Sequence, residues 1–242
     1  MNINLNNKKV FVLHVKKGYE ARENHINRML KKMNIPFEYI LDGDISDLTN
    51  EVLDTWFQGT MHQYSPQASC SYKHLLACKE IVARNLDGAL ILEDDIYLNK
   101  RKFVSVFNQS MKELEKKGSD AAIISYEDTM MRFVPRSQRK HGQVIYLGYK
   151  DRMGGSYYIN RKAASLLVNY AQTHKYDVPH DLIHTRLLKE KKLIYYWSHP
   201  VVASQGSHTG NFSSSINFTK RFYYPITWQL KLAYKKLLYN LR

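Results

Sequence analysis

Ala89-Leu90-Ile91-Leu92-Glu93-Asp94-Asp95 is a continuous apolar run that stops, with no spacer, on three carboxylates. Consecutive apolar residues without polar alternation suit a strand buried on both faces, as in a parallel sheet covered by helices. Towards the N-terminus, Val10-Phe11-Val12-Leu13 is a second run of the same kind. A helical pattern follows it, with Ile26, Met29, Leu30 and Met33 on one face, and Pro36 stops it. Phe37 to Leu41 then reads as a strand ending at the turn Asp42-Gly43. Strand, helix and strand in that order, joined by a right-handed crossover, begin a parallel sheet.

Between these runs the pattern is weak from Ser46 to Gln67, with a short helix at Val52 to Phe57. It sharpens into a helix over Ser69 to Leu86, with Leu75, Cys78, Ile81 and Val82 on one side. Beyond the carboxylates, a helix carries Phe103, Val106, Phe107 and Leu114, and Ala121 to Ile124 is the next strand. Met131 to Val134 and Val144 to Leu147 are expected to pair as antiparallel strands around a basic loop. Gly154-Gly155 leads into a strand at Ser156 to Ile159 and a helix from Arg161 to about Ala171. Pro179-His180-Asp181 opens a further helix, and Leu193 to Trp197 is the last strand. Repeats and linker-like composition are absent. The expected architecture is one α/β domain over 1–218, a mixed, mostly parallel sheet flanked by helices, followed by a basic aromatic tail over 219–242.

The 242 residues suffice for one well-cored domain, and 44% hydrophobic with 24% charged residues is ordinary for a globular chain. Cys70 and Cys78 have no metal-ligand spacing around them and read as reduced, buried thiols. The first nine residues lack the apolar core of a signal peptide, and no stretch approaches the roughly 18 apolar residues of a membrane span. A cytoplasmic protein is expected. The formal charge of +14 requires an anionic partner or surface. Glu190 is the last acidic residue, so the excess gathers towards the C-terminus. If Thr227 to Arg242 is helical, Leu230, Tyr234, Leu237 and Leu241 share one face, and Lys231, Lys235 and Arg242 another. Phe222, Tyr223, Tyr224 and Trp228 lie beside it. Such a helix suits an anionic membrane surface, or else docks on the domain with its basic face in water.

Three adjacent carboxylates repel one another, which favours a cation among them. The carboxyl ends of parallel strands are where α/β sheets hold ligands. Alternation along an extended segment puts Glu93 and Asp95 on one side, and two hard oxygen ligands suit Mn²⁺ or Mg²⁺. The competing reading is an exposed acidic turn that caps the next helix.

The chain resembles glycosyltransferase family 25, the lipooligosaccharide galactosyltransferase family. The acidic run with its strand is very close to the family's most recognisable stretch. Asp42-Gly43, Ser69-Cys70-Ser71-Tyr72-Lys73-His74, Gly155 to Ala164 and Pro179-His180-Asp181 are similar to its other segments, in order. The resemblance covers roughly residues 10 to 215. Ser69 stands where the family has glycine and Lys73 where it has serine, and only Arg22 remains of a usual double arginine. The resemblance implies a GT-A-like fold and an inverting transfer of galactose from a UDP-sugar. The acceptor would be a lipid-linked saccharide such as GlcNAc or glucose, in lipooligosaccharide or lipopolysaccharide. Glu93 and Asp95 would hold the cation, with His208 as third ligand or diphosphate contact. Asp42, Lys73, His74 and Asp94 would contact the donor; His74 equally suits a packed core histidine. Asp181 would be the base that takes the acceptor proton, or simply a helix N-cap; Asp128 and Asp151 are the reserves. Lys73 and Arg152 can also meet phosphate. Two other classes fit composition alone. A nucleic-acid-binding or nuclease-type protein is allowed by the charge and the 18 tyrosines, but no such motif is present and nucleic acid is not expected as a partner. A non-catalytic carbohydrate- or membrane-binding module is the other.

Overall fold

Successive residues of the central strands face opposite ways, and that alternation builds two cores. The computed structural model describes residues 2–118, 120–209, 212 and 224–241. Strands β1 (Lys8–Leu13), β2 (Glu38–Ile40) and β3 (Gly88–Glu93) open the sheet, with helix α1 (Glu20–Lys32) crossing between β1 and β2. Helices α2 (Asn50–Trp56) and α3 (Pro66–Ala83) precede β3; the short strand β4 (Ile96–Leu98) and helix α4 (Phe103–Lys117) follow it. Then come β5 (Ala122–Ser125), β6 (Ile145–Leu147), β7 (Ser156–Asn160), helices α5 (Arg161–His174) and α6 (His180–Lys189), β8 (Ile194–Ser198) and β9 (Ala203–Gln205). Helices α7 (Gly206–Thr209) and α8 (Tyr224–Leu241) end the described chain.

The seven-stranded sheet runs β2-β1-β3-β7-β5-β8-β6, and β4 pairs with β9 in a separate two-stranded sheet. β2, β1 and β3 are parallel, as are β5 and β8, while β7 and β6 run antiparallel to their neighbours. This is the mixed, mostly parallel α/β architecture expected. Phe11, Leu13, Ala89 and Ile91 face a core shared with α3, α5 and α6; Val10, Val12, Leu90 and Leu92 face another under α1 and α4.

Two expectations need correction. Met131 to Val134 forms no strand, because Met131 takes a φ of 51° and leaves extended backbone there. β6 instead pairs with β8, Ile145 opposite Ser198, which makes it the sheet edge. Val82, expected on the buried face of α3, is exposed, whereas Leu75, Cys78 and Ile81 are buried.

The C-terminal helix both docks and exposes an apolar face. Trp228 is buried, the Lys236 ammonium lies 3.3 Å from Asp128, Arg139 donates to Asn240 at 2.7 Å, and Tyr239 meets Phe133 edge-on. Ile226, Leu230, Tyr234, Leu237 and Leu241, spaced along one helix face, are each more than half exposed. Phe222, Tyr223, Arg242 and the Tyr224 side chain lie outside the described residues. Among the described residues no helix is long and apolar enough to cross a membrane.

Candidate active site

Strand alternation decides where the three carboxylates go. Glu93 keeps the parity of Ala89 and Ile91, so its side chain reaches the α3 side, where Glu93 Oε1 lies 3.6 Å from His74 Nε2. Glu93 Oε2 accepts from Gln205 Nε2 at 3.3 Å. Asp94 turns to the α1 side and is held by two bases: His14 Nδ1 at 2.7 Å and Arg22 Nη1 at 2.9 Å. The strand stops at Glu93 and a turn carries Asp95, so a bend, not continued alternation, places the third carboxylate. Asp95 Oδ2 accepts from the Ser207 amide at 3.1 Å. Its Oδ1 is buried with no hydrogen-bond partner.

The electrostatics follow from that crowding. Burial, then the charge of Glu93, pushes the Asp95 carboxyl up to about 6, against the pull of Arg22. Burial draws the Arg22 guanidinium down, but Asp94, Asp95 and Glu93 more than offset it and leave its pKa raised. Asp181 stands in the first turn of α6, and burial with the charge of Asp151 pushes it up to about 6. The Cys70 thiol is raised by burial first, then by Glu93, Asp181, Asp94 and Asp95 together. Asp181 directly follows His180, whose ring stacks on His74, and His74 lies 3.6 Å from Glu93, so the fold brings Asp181 towards the acidic turn although 86 residues separate Asp181 from Asp95 (181 − 95 = 86).

Behind His74 lies a buried stack of aromatics. His74 and His180 are stacked at 4.5 Å between ring centroids, and His184 meets His180 edge-on at 4.2 Å. The Tyr157 hydroxyl joins His74 Nδ1 at 2.9 Å to His180 Nε2 at 3.1 Å. Burial lowers the pKa of His180 well below its usual value and that of His184 to about 3, so both rings are neutral at neutral pH. His74 packs in the core and turns one nitrogen towards Glu93.

The other expected residues fall as follows. Lys73 is buried, and its ammonium meets Leu41 O at 2.7 Å, Asp42 O at 3.1 Å and Asp44 Oδ1 at 2.8 Å. Two hydrogen bonds to carbonyls and the ion pair with Asp44 hold Lys73 to the loop. Ser69 donates to Gly43 O at 2.7 Å, so both departures from the family pattern staple the same loop to α3. Gly43 has a φ of 94°, and a Cβ there would stand 3.1 Å from the Tyr72 ring. Asp42 is exposed and pairs with Lys16 at 3.1 Å. Asp151 is engaged by Thr185 Oγ1 at 2.5 Å and the Met153 amide at 3.0 Å. Asp128 is near Lys236 and Arg152, under α8. Arg152 is fully buried over the Trp197 ring, and burial lowers it to about 9. His208 belongs to α7 by its backbone, and its side chain lies outside the described residues. Sequence reasoning missed His14, Tyr157 and Gln205; only the position of His14 directly after an apolar strand hinted at a role.

An α/β sheet that gathers carboxylates at its strand ends, with an aspartate from a neighbouring helix beside them, has the layout of a group-transfer enzyme. The chain matches the model of glycosyltransferase family 25 (LPS biosynthesis protein) over residues 7–184, and it belongs to that family. It is accordingly a glycosyltransferase. No curated protein matches it in sequence. Among solved structures, a putative glucose-1-phosphate thymidylyltransferase from Bacillus anthracis, in complex with a sucrose, is 16% identical, with 88% of this chain and 98% of that one covered at a TM-score of 0.42. A197 from STIV is 13% identical over 78% of this chain and 80% of its own, at 0.40. The inositol-1-phosphate CTP transferase from T. maritima is 10% identical over 95% and 77%, at 0.36. Likeness this distant carries no argument about activity.

Proposed function

We propose that this glycosyltransferase inverts the anomeric carbon while moving a hexose, galactose, from a UDP-sugar to a saccharide acceptor such as GlcNAc or glucose in lipooligosaccharide or lipopolysaccharide. The observation that carries this reading is the run Glu93-Asp94-Asp95 at the end of β3, with Asp181 brought towards it by the stacking of His180 on His74 and the approach of His74 to Glu93. Glu93 and Asp95 fit a divalent cation: they repel each other, and Asp95 Oδ1 is a buried oxygen without a partner. A bound Mn²⁺ or Mg²⁺ would act there as a Lewis acid on the diphosphate. Asp94, fixed by His14 and Arg22, keeps lone pairs for a donor hydroxyl. Asp181 accepts the proton of the acceptor hydroxyl as that oxygen bonds to the anomeric carbon. The bond from this carbon to the phosphate oxygen breaks, and its electron pair leaves on UDP. A base raised to about 6 is ionised at neutral pH yet basic enough to take that proton. The test is the melting temperature with UDP and Mn²⁺, followed by transfer from UDP-galactose; no rise with any nucleoside diphosphate would sink the reading.

A lipid-linked acceptor at the cytoplasmic membrane face agrees with the outward apolar stripe of α8. The stripe is flanked by the exposed Lys231 and Lys235, and no acidic residue follows Glu190. Leu230→Glu with Leu237→Glu should reduce flotation of the full chain with anionic vesicles. Undiminished flotation counts against membrane contact.

A further inference from the structure

We propose that Cys70, His74 and Glu93 form a site for a thiophilic divalent cation of the zinc class. Cys70 and His74 are four residues apart on α3, so the helix sets them one above the other on a single face. β3 brings Glu93 to that face, and one donor atom from each of the three side chains lies within 4.8 Å of the others. His74 Nε2 and Glu93 Oε1 are 3.6 Å apart. Tetrahedral zinc, with bonds of about 2.0–2.3 Å, spaces its donors by roughly 3.3–3.8 Å, so the set contracts by about an ångström at its widest. Thiolate, imidazole and carboxylate together are a zinc-type donor set, and three protein ligands leave a fourth position open.

Two features outside the ligands support a built site. The Tyr157 hydroxyl bonds His74 Nδ1 and, on its other side, His180 Nε2, which fixes the ring with Nε2 towards Glu93. Gly154 keeps the space beside the donors clear: a Cβ there would stand 3.2 Å from His74 Nε2 and 3.6 Å from Glu93 Oε1. Cys70 and Glu93 are part-buried and His74 is buried. This site shares Glu93 with the proposed sugar-transfer centre but does not depend on the identity of the donor sugar.

The test uses the full chain, stripped with a chelator and titrated with Co²⁺ in the absence of nucleotide. Stoichiometric appearance of a thiolate-to-cobalt charge-transfer band, bleached by Zn²⁺, is the expected result. Cys70→Ser should lose the band, Tyr157→Phe and Gly154→Ala should weaken Co²⁺ binding about 10–100-fold, and Cys78→Ala should keep the wild-type spectrum. Far-ultraviolet circular dichroism of each variant separates loss of the site from loss of the fold. A featureless titration, or a band that survives Cys70→Ser, overturns the proposal. UDP-galactose transfer is scored separately: transfer without the cobalt band sinks this site alone, and the band without transfer sinks the sugar-transfer reading alone.

Discussion

Strands β3 and β5 run in the same direction, and each is followed closely by carboxylates, yet the two ends are finished differently. After β5, Glu127 is fully buried, accepts the Ser156 amide at 3.1 Å and is hydrogen-bonded by Thr129. Burial pushes its carboxyl well above the usual range. Asp128 keeps one oxygen without a partner, but the cations Lys236 and Arg152 stand against it. After β3, three carboxylates share the guanidinium of Arg22 and the ring of His14, and both bases are directed at Asp94. Glu93 has His74 and Gln205 beside it, and Asp95 keeps one buried oxygen without a partner among the described residues. A run of acids is suited to a cation where the fold compensates its charge only in part, as proposed for the β3 end; where the chain supplies its own cations, the same residue types hold the structure together.

The contrast can be broken most severely at the base. Asp181→Asn should cut sugar transfer by about 10²–10⁴-fold while the melting-temperature rise with UDP and Mn²⁺ persists; near-normal transfer would remove Asp181 from that role. Next in size is the comparison of the two strand ends themselves. Asp95→Asn should abolish the ligand-induced stabilisation, worth about 2.7 kcal/mol at a hundredfold excess over Kd, whereas Asp128→Asn should retain it. Equal loss in both variants would mean that the β5 end also binds the donor.

Acidity should produce a smaller effect. Asp181 must be ionised to accept a proton, and its pKa is about 6, so kcat should fall as pH drops through 6, about tenfold per unit well below it. The sign for stability is opposite. A carboxyl raised on folding favours its protonated folded form, so Asp181 contributes stability below its ordinary range that is lost as pH rises through about 6. A pH–rate profile flat down to pH 5 would exclude Asp181 as the titrating base. The smallest effect belongs to the covering helix. Lys236→Gln should lower stability by under about 1 kcal/mol, because that ammonium is nearly half exposed, and should leave donor binding intact. Denaturant titration and the UDP melting shift measure the two halves of that statement.

Much of the fold was legible because the signals were local. Apolar runs at Val10 to Leu13 and Ala89 to Leu92 specify strands buried on both sides, and the spacing of Ile26, Met29 and Leu30 specifies a helix face. Met131 to Val134 misled because Phe133 and Val134 are buried for another reason, packing in a loop whose backbone has left the extended region. Residue type alone likewise suggested that Lys73 meets phosphate, while its position under the Asp42 loop bonds it to two carbonyls and pairs it with Asp44.

By itself the sequence determined the strand that ends on Glu93-Asp94-Asp95, the helices that cover it, and the basic character of the last fifty or so residues. These follow from periodicities of 2 and 3.6, which each segment carries within itself. Only the tertiary structure decided that Glu93 meets Cys70 and His74, that Asp94 is held by His14 and Arg22, that His180, next to Asp181, stacks on His74, and that α8 turns Leu230, Leu237 and Leu241 outward. Each of those depends on which faces of distant segments pack together. That choice is made by burial summed over the whole core, and no local pattern contains it.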